Sequence, residues 1–138
     1  MTLSNGHAIF SGTLDFETLG GAGFASQRTV GDNQHWDLSS FDGIKIVCDV
    51  PKSDDKRYTF ILKDELLPPS PNGREQSTIS WEYDFRVRDA TRVHGQSHLA
   101  VLLPSWHDFK PTYRGRPKDS AKPLDRSSIK RMSILVRR

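Results

Sequence analysis

The stretch "TISWEYDFRV", residues 78–87, alternates without a break. Ile79, Trp81, Tyr83, Phe85 and Val87 take every second position, and Ser80, Glu82, Asp84 and Arg86 fill the places between. Successive side chains of a strand leave on opposite faces, so this run predicts a half-buried strand, aromatic inward and charged outward. The same period of two recurs in "KRYTFILKD" (56–64), where Tyr58, Phe60 and Leu62 oppose Arg57, Thr59 and Lys63. In "GIKIVCDV" (43–50) it sets Ile44, Ile46 and Cys48 against Lys45 and Asp49. Trp81, Tyr83, Phe85, Phe60, Leu62, Ile44 and Ile46 are the expected core.

Four further segments read as strands: "AIFSGTLDF" (8–16), "GFASQRT" (23–29), "SHLAVLLP" (97–104) and "KRMSILVR" (130–137). Turn-rich pieces such as "LGGAG", "PKSDD", "PPSPNG" and "RGRPKDSAKP" separate them. No segment carries a helical stripe, and "WDLSSF" and "LDRSSIK" are read as single turns. Seven strands at this spacing predict an all-β chain, an antiparallel β-sandwich or jelly roll, with residues 1–138 as one domain.

The chain has 138 residues and 35% apolar content, with no apolar run near the ~18 residues of a membrane span. Cys48 is the lone cysteine, which excludes an internal disulfide and a cysteine-based zinc site. "MTLSNGHAIF" lacks the regions of a secretory signal, and "KDEL" at 63–66 is internal, where a C-terminal retention receptor would not read it. The expected setting is therefore intracellular. Charge is uneven: residues 105–138 hold ten Lys/Arg against three Asp/Glu, within a net charge of +3.

Candidate chemistry is sparse. Glu82 and Asp84 are two carboxylates roughly 7 Å apart on one strand face, a range that glycosidases use. Arg86 and Arg88 continue that face, so a solvated charge ladder is the simpler reading. His94 and His98 are four apart, but Gly95 and the strand pattern argue against the helix that a zinc motif needs. His107-Asp108 has no nucleophile in an elbow context. "GGAG" (20–23) precedes a strand rather than a helix, so it reads as a tight turn and not a phosphate loop. No catalytic residue, cofactor or metal site is expected.

A binding surface is left. "SWHDFKPTYRGRPK" (105–118) interleaves Trp106, Phe109 and Tyr113 with Lys110, Arg114, Arg116 and Lys118. Trp106 and Phe109 are read as anchors of a loop to the core. Lys110, Tyr113, Arg114, Arg116 and Lys118 are the candidate partner-binding residues, facing either a partner or water. A protein partner, a carbohydrate stacked on Trp36, Trp81 or Trp106, and single-stranded RNA on the basic third all fit these residue types.

"FSGTLDFETLGGAGFASQRT", "WDLSSFDGIKI", "RYTFILKDE", "TISWEYDF", "LLPSWHDFKPTYRGRP" and "PLDRSSIKRMSILV" occur in this order. Together they resemble the NADH:ubiquinone oxidoreductase complex I intermediate-associated protein 30 family, particularly its small fungal members, from about Gly6 to Arg138. The resemblance implies a galactose-binding-like jelly roll and a non-enzymatic assembly chaperone or scaffold in the mitochondrion, working on a protein partner. Assembly or RNA-linked roles in photosynthetic relatives belong to the same implication. It further implies a Gly-Gly-x-Ser segment upstream and a strand beyond Arg138, so the domain is expected to be incomplete at both ends. The strand at 130–137 would then be an open edge, prone to self-pairing. Asp15 and Glu17 arrive early and the first arginine is Arg28, so no mitochondrial presequence is visible.

Overall fold

The computed structural model describes residues 2–4, 7–9, 24–29, 35–119 and 122–137. Its elements are β1 (Thr2–Ser4), β2 (His7–Ile9), β3 (Phe24–Arg28), β4 (Ile46–Asp49), β5 (Arg57–Lys63), β6 (Ser80–Phe85), β7 (Thr91–Val93), β8 (Gln96–Leu102), β9 (Lys110–Tyr113), β10 (Arg116–Pro117) and β11 (Arg131–Arg137). Single 3-10 turns at Val50–Lys52, Val87–Asp89, Trp106–Asp108 and Arg126–Ser128 are the helical content of the described residues. One sheet runs β10-β9-β6-β5-β11-β3, a second runs β4-β8-β7, and β1 pairs with β2; every pairing is antiparallel. The chain is thus all-β, as a β-sandwich should be.

The period-two segments decide this arrangement. In the β5–β6 register Tyr58 faces Phe85, Phe60 faces Tyr83 and Leu62 faces Trp81, so the inward side chains of two sequence runs become one continuous apolar surface. Two clusters grow on it. Leu62, Trp81, Phe109 and Ile129 form the first, with Trp36, Ile44, Trp106 and Met132 packed around them. Cys48, Phe85 and Leu102 form the second, joined by Ile46, Tyr58 and Ile134. Phe60 and Tyr83 touch both. Of the expected core, Leu62, Trp81 and Phe85 are buried, whereas Phe60, Tyr83, Ile44 and Ile46 are half-buried and pack onto the clusters.

Several segments depart from the sequence reading. The strand expected over 43–50 is confined to Ile46–Asp49, because Pro51 carries the chain into a 3-10 turn. β6 stops at Phe85, and Val87 belongs to the next 3-10 turn. The 8–16 strand falls largely outside the described residues, as does the 20–23 turn; His7–Ile9 is the part seen. β7, β9 and β10 are too short to show a period. The largest correction concerns β11. It is not an edge: β5 flanks it on one side and β3 on the other, so its backbone groups have neighbours in both directions. The expected self-pairing through this strand loses its basis. Met132, Ile134 and Val136 do share the apolar face, as their alternation required.

The connection from Lys63 to Ser80 is a strap across the polar face of the six-stranded sheet. Ser70 N donates to Arg74 O and Gly73 N to Ser70 O, each at 2.8 Å, closing a turn, and the Gln76 amide donates to Pro68 O. One carboxylate then ties the strap down: Glu75 accepts from Arg28 of β3 at 2.8 Å and from Arg131 of β11, whose side chain is 8% exposed. Lys63 Nζ donates to Thr78 Oγ1 at 3.0 Å, and burial lowers the pKa of Lys63. Desolvation raises the Glu75 pKa, but the hydrogen bonds from Arg131 and Arg28 outweigh it, and its carboxyl lies below the usual value. The stretch "KDELLPPSPNGREQ" (63–76) is therefore strand end and strap, not address.

Three outcomes are expected. Trp81→Ala removes the residue on which the first cluster closes and should cost roughly 3–5 kcal/mol in chemical denaturation. Gly43 pairs with Ser105, and a Cβ there would overlap the Pro104 carbonyl oxygen, so Gly43→Ala should cost about 1–3 kcal/mol by the same measurement. A carboxylate with a lowered folded pKa stabilises above its unfolded value of about 4.3 and loses that contribution as pH falls through the folded value. The difference in melting temperature between wild type and Glu75→Gln should therefore be present at pH 7 and narrow below about pH 4.

Candidate partner-binding site

The basic segment is built outward from a buried anchor. Ser105 and Asp108 form a capping box: Asp108 Oδ2 accepts from Ser105 N at 2.8 Å and from the Ser105 hydroxyl at 3.2 Å. This fixes the 3-10 turn that presents Trp106 and Phe109. Phe109 is 2% exposed and meets the Tyr83 ring at 5.8 Å and the Phe60 ring at 6.4 Å. Trp106 packs beside it and donates its indole N–H to Phe41 O at 2.7 Å. Both aromatics are anchors, as the sequence suggested. Asp108 Oδ2 is taken by Ser105, which gives this carboxylate a capping role.

Past Phe109 the chain is not the expected loop but a hairpin. β9 pairs with β6, setting Ser80 against Thr112, Trp81 against Pro111 and Glu82 against Lys110. It then turns through Arg114 (φ 51°) and Gly115 (φ 79°) into β10. Two positive φ values in a two-residue connection define a type I′ turn, whose twist matches that of the flanking strands. Gly115 adopts this at little cost. Arg114 does not, since a residue with a Cβ in the left-handed region costs roughly 1–2 kcal/mol. Its guanidinium sits over the neighbouring Tyr113 ring, 5.5 Å from the centroid, which offsets part of that cost.

Residues directly opposite on an antiparallel pair share a face. Tyr113 is opposite Arg116, and Lys118 N donates to Pro111 O at 3.1 Å, continuing the ladder. Tyr113, Arg116 and Lys118 therefore lie on one face with Arg114 at the tip. All four are exposed. Lys110 lies on the other face, opposite Glu82, with its ammonium donating to His107 O at 3.1 Å. The structure brings four of the five candidates together and separates the fifth. Among the described residues no carboxylate forms an ion pair with Arg114, Arg116 or Lys118.

The other candidates resolve differently. Asp84 pairs with Arg57 and accepts from Thr59 Oγ1 at 2.6 Å, and Arg88 pairs with Asp55 at 3.2 Å. The ladder is cross-linked at Asp84, which Arg57 and Thr59 hold. His94 sits at the β7–β8 turn and His98 on β8, both exposed. No cluster of three or more metal-ligating side chains occurs among the described residues. Trp81 is buried, while Trp36 and Trp106 are half-buried on the core, with the Arg126 guanidinium 5.8 Å from the centre of the Trp106 ring. That Arg–Trp contact was not foreseen, because it joins residues twenty apart whose only sequence signal is their type.

The profile of the family described as Complex I intermediate-associated protein 30 (CIA30) matches residues 1–138. The uncharacterized protein C9E9.15 of Schizosaccharomyces pombe is 45% identical over 130 residues, covering 94% of this chain. The alignment covers 55% of that protein, so the chain spans about half the length of the relative it matches. With a family profile matching residues 1–138 and a relative 45% identical over 94% of the chain, the chain belongs to the complex I intermediate-associated protein 30 family, which is associated with complex I assembly.

Proposed function

We propose that the chain is a non-enzymatic binding module that holds a protein partner during the assembly of mitochondrial complex I, as a chaperone or scaffold. The family membership supports the process. The observation that carries the mode of action is the β9–β10 hairpin. Arg114, Arg116 and Lys118 stand exposed on an element fixed from behind by Phe109 and the Trp81–Pro111 pairing, with no carboxylate of the described residues neutralising them. Side chains held on a rigid element bind with little ordering cost. Arginine forks suit carboxylates especially well.

A protein partner fits this surface better than a sugar or an RNA. A sugar platform calls for an open indole face, and each tryptophan is packed on the core. A single-stranded RNA groove interleaves several stacking aromatics with its cations. Here Tyr113 is the one aromatic on the hairpin face, and its ring already carries Arg114. Among the described residues no helix is long and apolar enough to cross a membrane.

The test is charge reversal. The Arg114→Glu/Arg116→Glu chain should lose at least 10-fold in capture of complex I subunits, identified by mass spectrometry after affinity purification. Its melting temperature should move by no more than ~4 °C, as expected for surface positions. Undiminished capture by the folded variant would remove the hairpin from recognition.

A further inference from the structure

The hairpin edge carries a second message, in its backbone. β10 ends the six-stranded sheet on one side, so its outer row of amides would ordinarily invite another strand. The ladder shows which amides those are. Arg116 is paired with Tyr113 across the turn, and Lys118 N donates inward to Pro111 O at 3.1 Å. Residues 116 and 118 therefore turn toward β9, and residue 117, between them, turns outward. That residue is Pro117, which has no N–H to donate. The edge lacks its one outward donor at the place where a pairing strand would need it.

The side chains tell a different story from the backbone. Arg116 and Lys118 are two residues apart on one strand face, hence roughly 6.5–7 Å apart at their roots. An extended polypeptide repeats its own side chains on one face at the same interval. Arg114 adds a third cation at the tip, its guanidinium lying over the Tyr113 ring. Resting on the binding reading above, we infer that this edge takes an extended acidic segment of a partner protein, with carboxylates at alternate residues, gripped by side chains and not by strand addition. Pro117 keeps the edge from pairing indiscriminately, and the cations supply selectivity.

Four synthetic probes test this against the full chain at low salt by fluorescence anisotropy: a peptide alternating Glu and Thr, an isomer of the same composition with the glutamates contiguous, the alternating peptide with N-methylated backbone amides, and a uridine oligonucleotide. The alternating peptide should bind about 5-fold tighter than its isomer. N-methylation should change its affinity by no more than about 2-fold, and Arg116→Glu/Lys118→Glu should abolish binding. Equal affinity for the two isomers, loss on N-methylation, or tighter binding of the oligonucleotide would each overturn the inference. If no peptide binds although Arg114→Glu/Arg116→Glu still abolishes capture of complex I subunits, this inference fails while the proposed function stands. If the peptides behave as expected but capture survives that double change, the acidic-segment site exists and complex I subunits are held elsewhere on the chain. Should the Arg116→Glu/Lys118→Glu chain not fold, the probe series on the wild-type chain decides alone.

Discussion

The β5–β6 register is the constraint on which the rest of the structure depends. Pairing Phe60 with Tyr83 places two aromatics at the centre of the six-stranded sheet, and each belongs to both core clusters. A slip of one residue would turn Tyr58, Phe60 and Leu62 to the opposite face and bring Arg57, Thr59 and Ile61 inward. Strong alternation in both strands makes that slip expensive. The opposite sheet contributes Cys48, Ala100 and Leu102, small to medium side chains that fit against this aromatic surface.

The same surface reaches the candidate site. Phe109 is pinned between Tyr83, Phe60 and Trp106, so the chain leaves the core in a set direction and β9 must pair with β6. Rigidity behind the hairpin thus comes from aromatic packing, and its outer features come from turn chemistry and charge. A left-handed arginine at a turn tip, where glycine or asparagine would be easier, is a local cost held in place by the surrounding ladder.

On the polar face, a single carboxylate ties together three distant parts of the chain: β3, β11 and the strap before β6. Glu75 is about half exposed, so its Coulomb energy is screened, and its role is chiefly geometric. Beside it the half-buried Lys63 reaches from the end of β5 to the buried Thr78 of the same strap. The ion pair of Asp84 with Arg57 links the outer faces of β6 and β5.

The local pattern was enough to determine the class of fold. Side-chain period two is a property of the strand itself, so "TISWEYDFRV" and "KRYTFILKD" were legible as strands with their inward residues named, "KRMSILVR" was legible as a strand, and the anchoring of Trp106 and Phe109 followed from residue type. Tertiary structure decided the rest. β11 lies between β5 and β3 and is no edge, because which strands become neighbours is a matter of sheet order that no strand encodes alone. β9 and β10 were hidden because two to four residues, two of them proline, carry no readable period; a partner strand and a type I′ turn make them strands. The separation of Lys110 from Arg114, Arg116 and Lys118 has the same origin. In sequence these cations form one basic run, but alternation across a paired ladder sends neighbouring residues to opposite faces, and only pairing reveals which face is which.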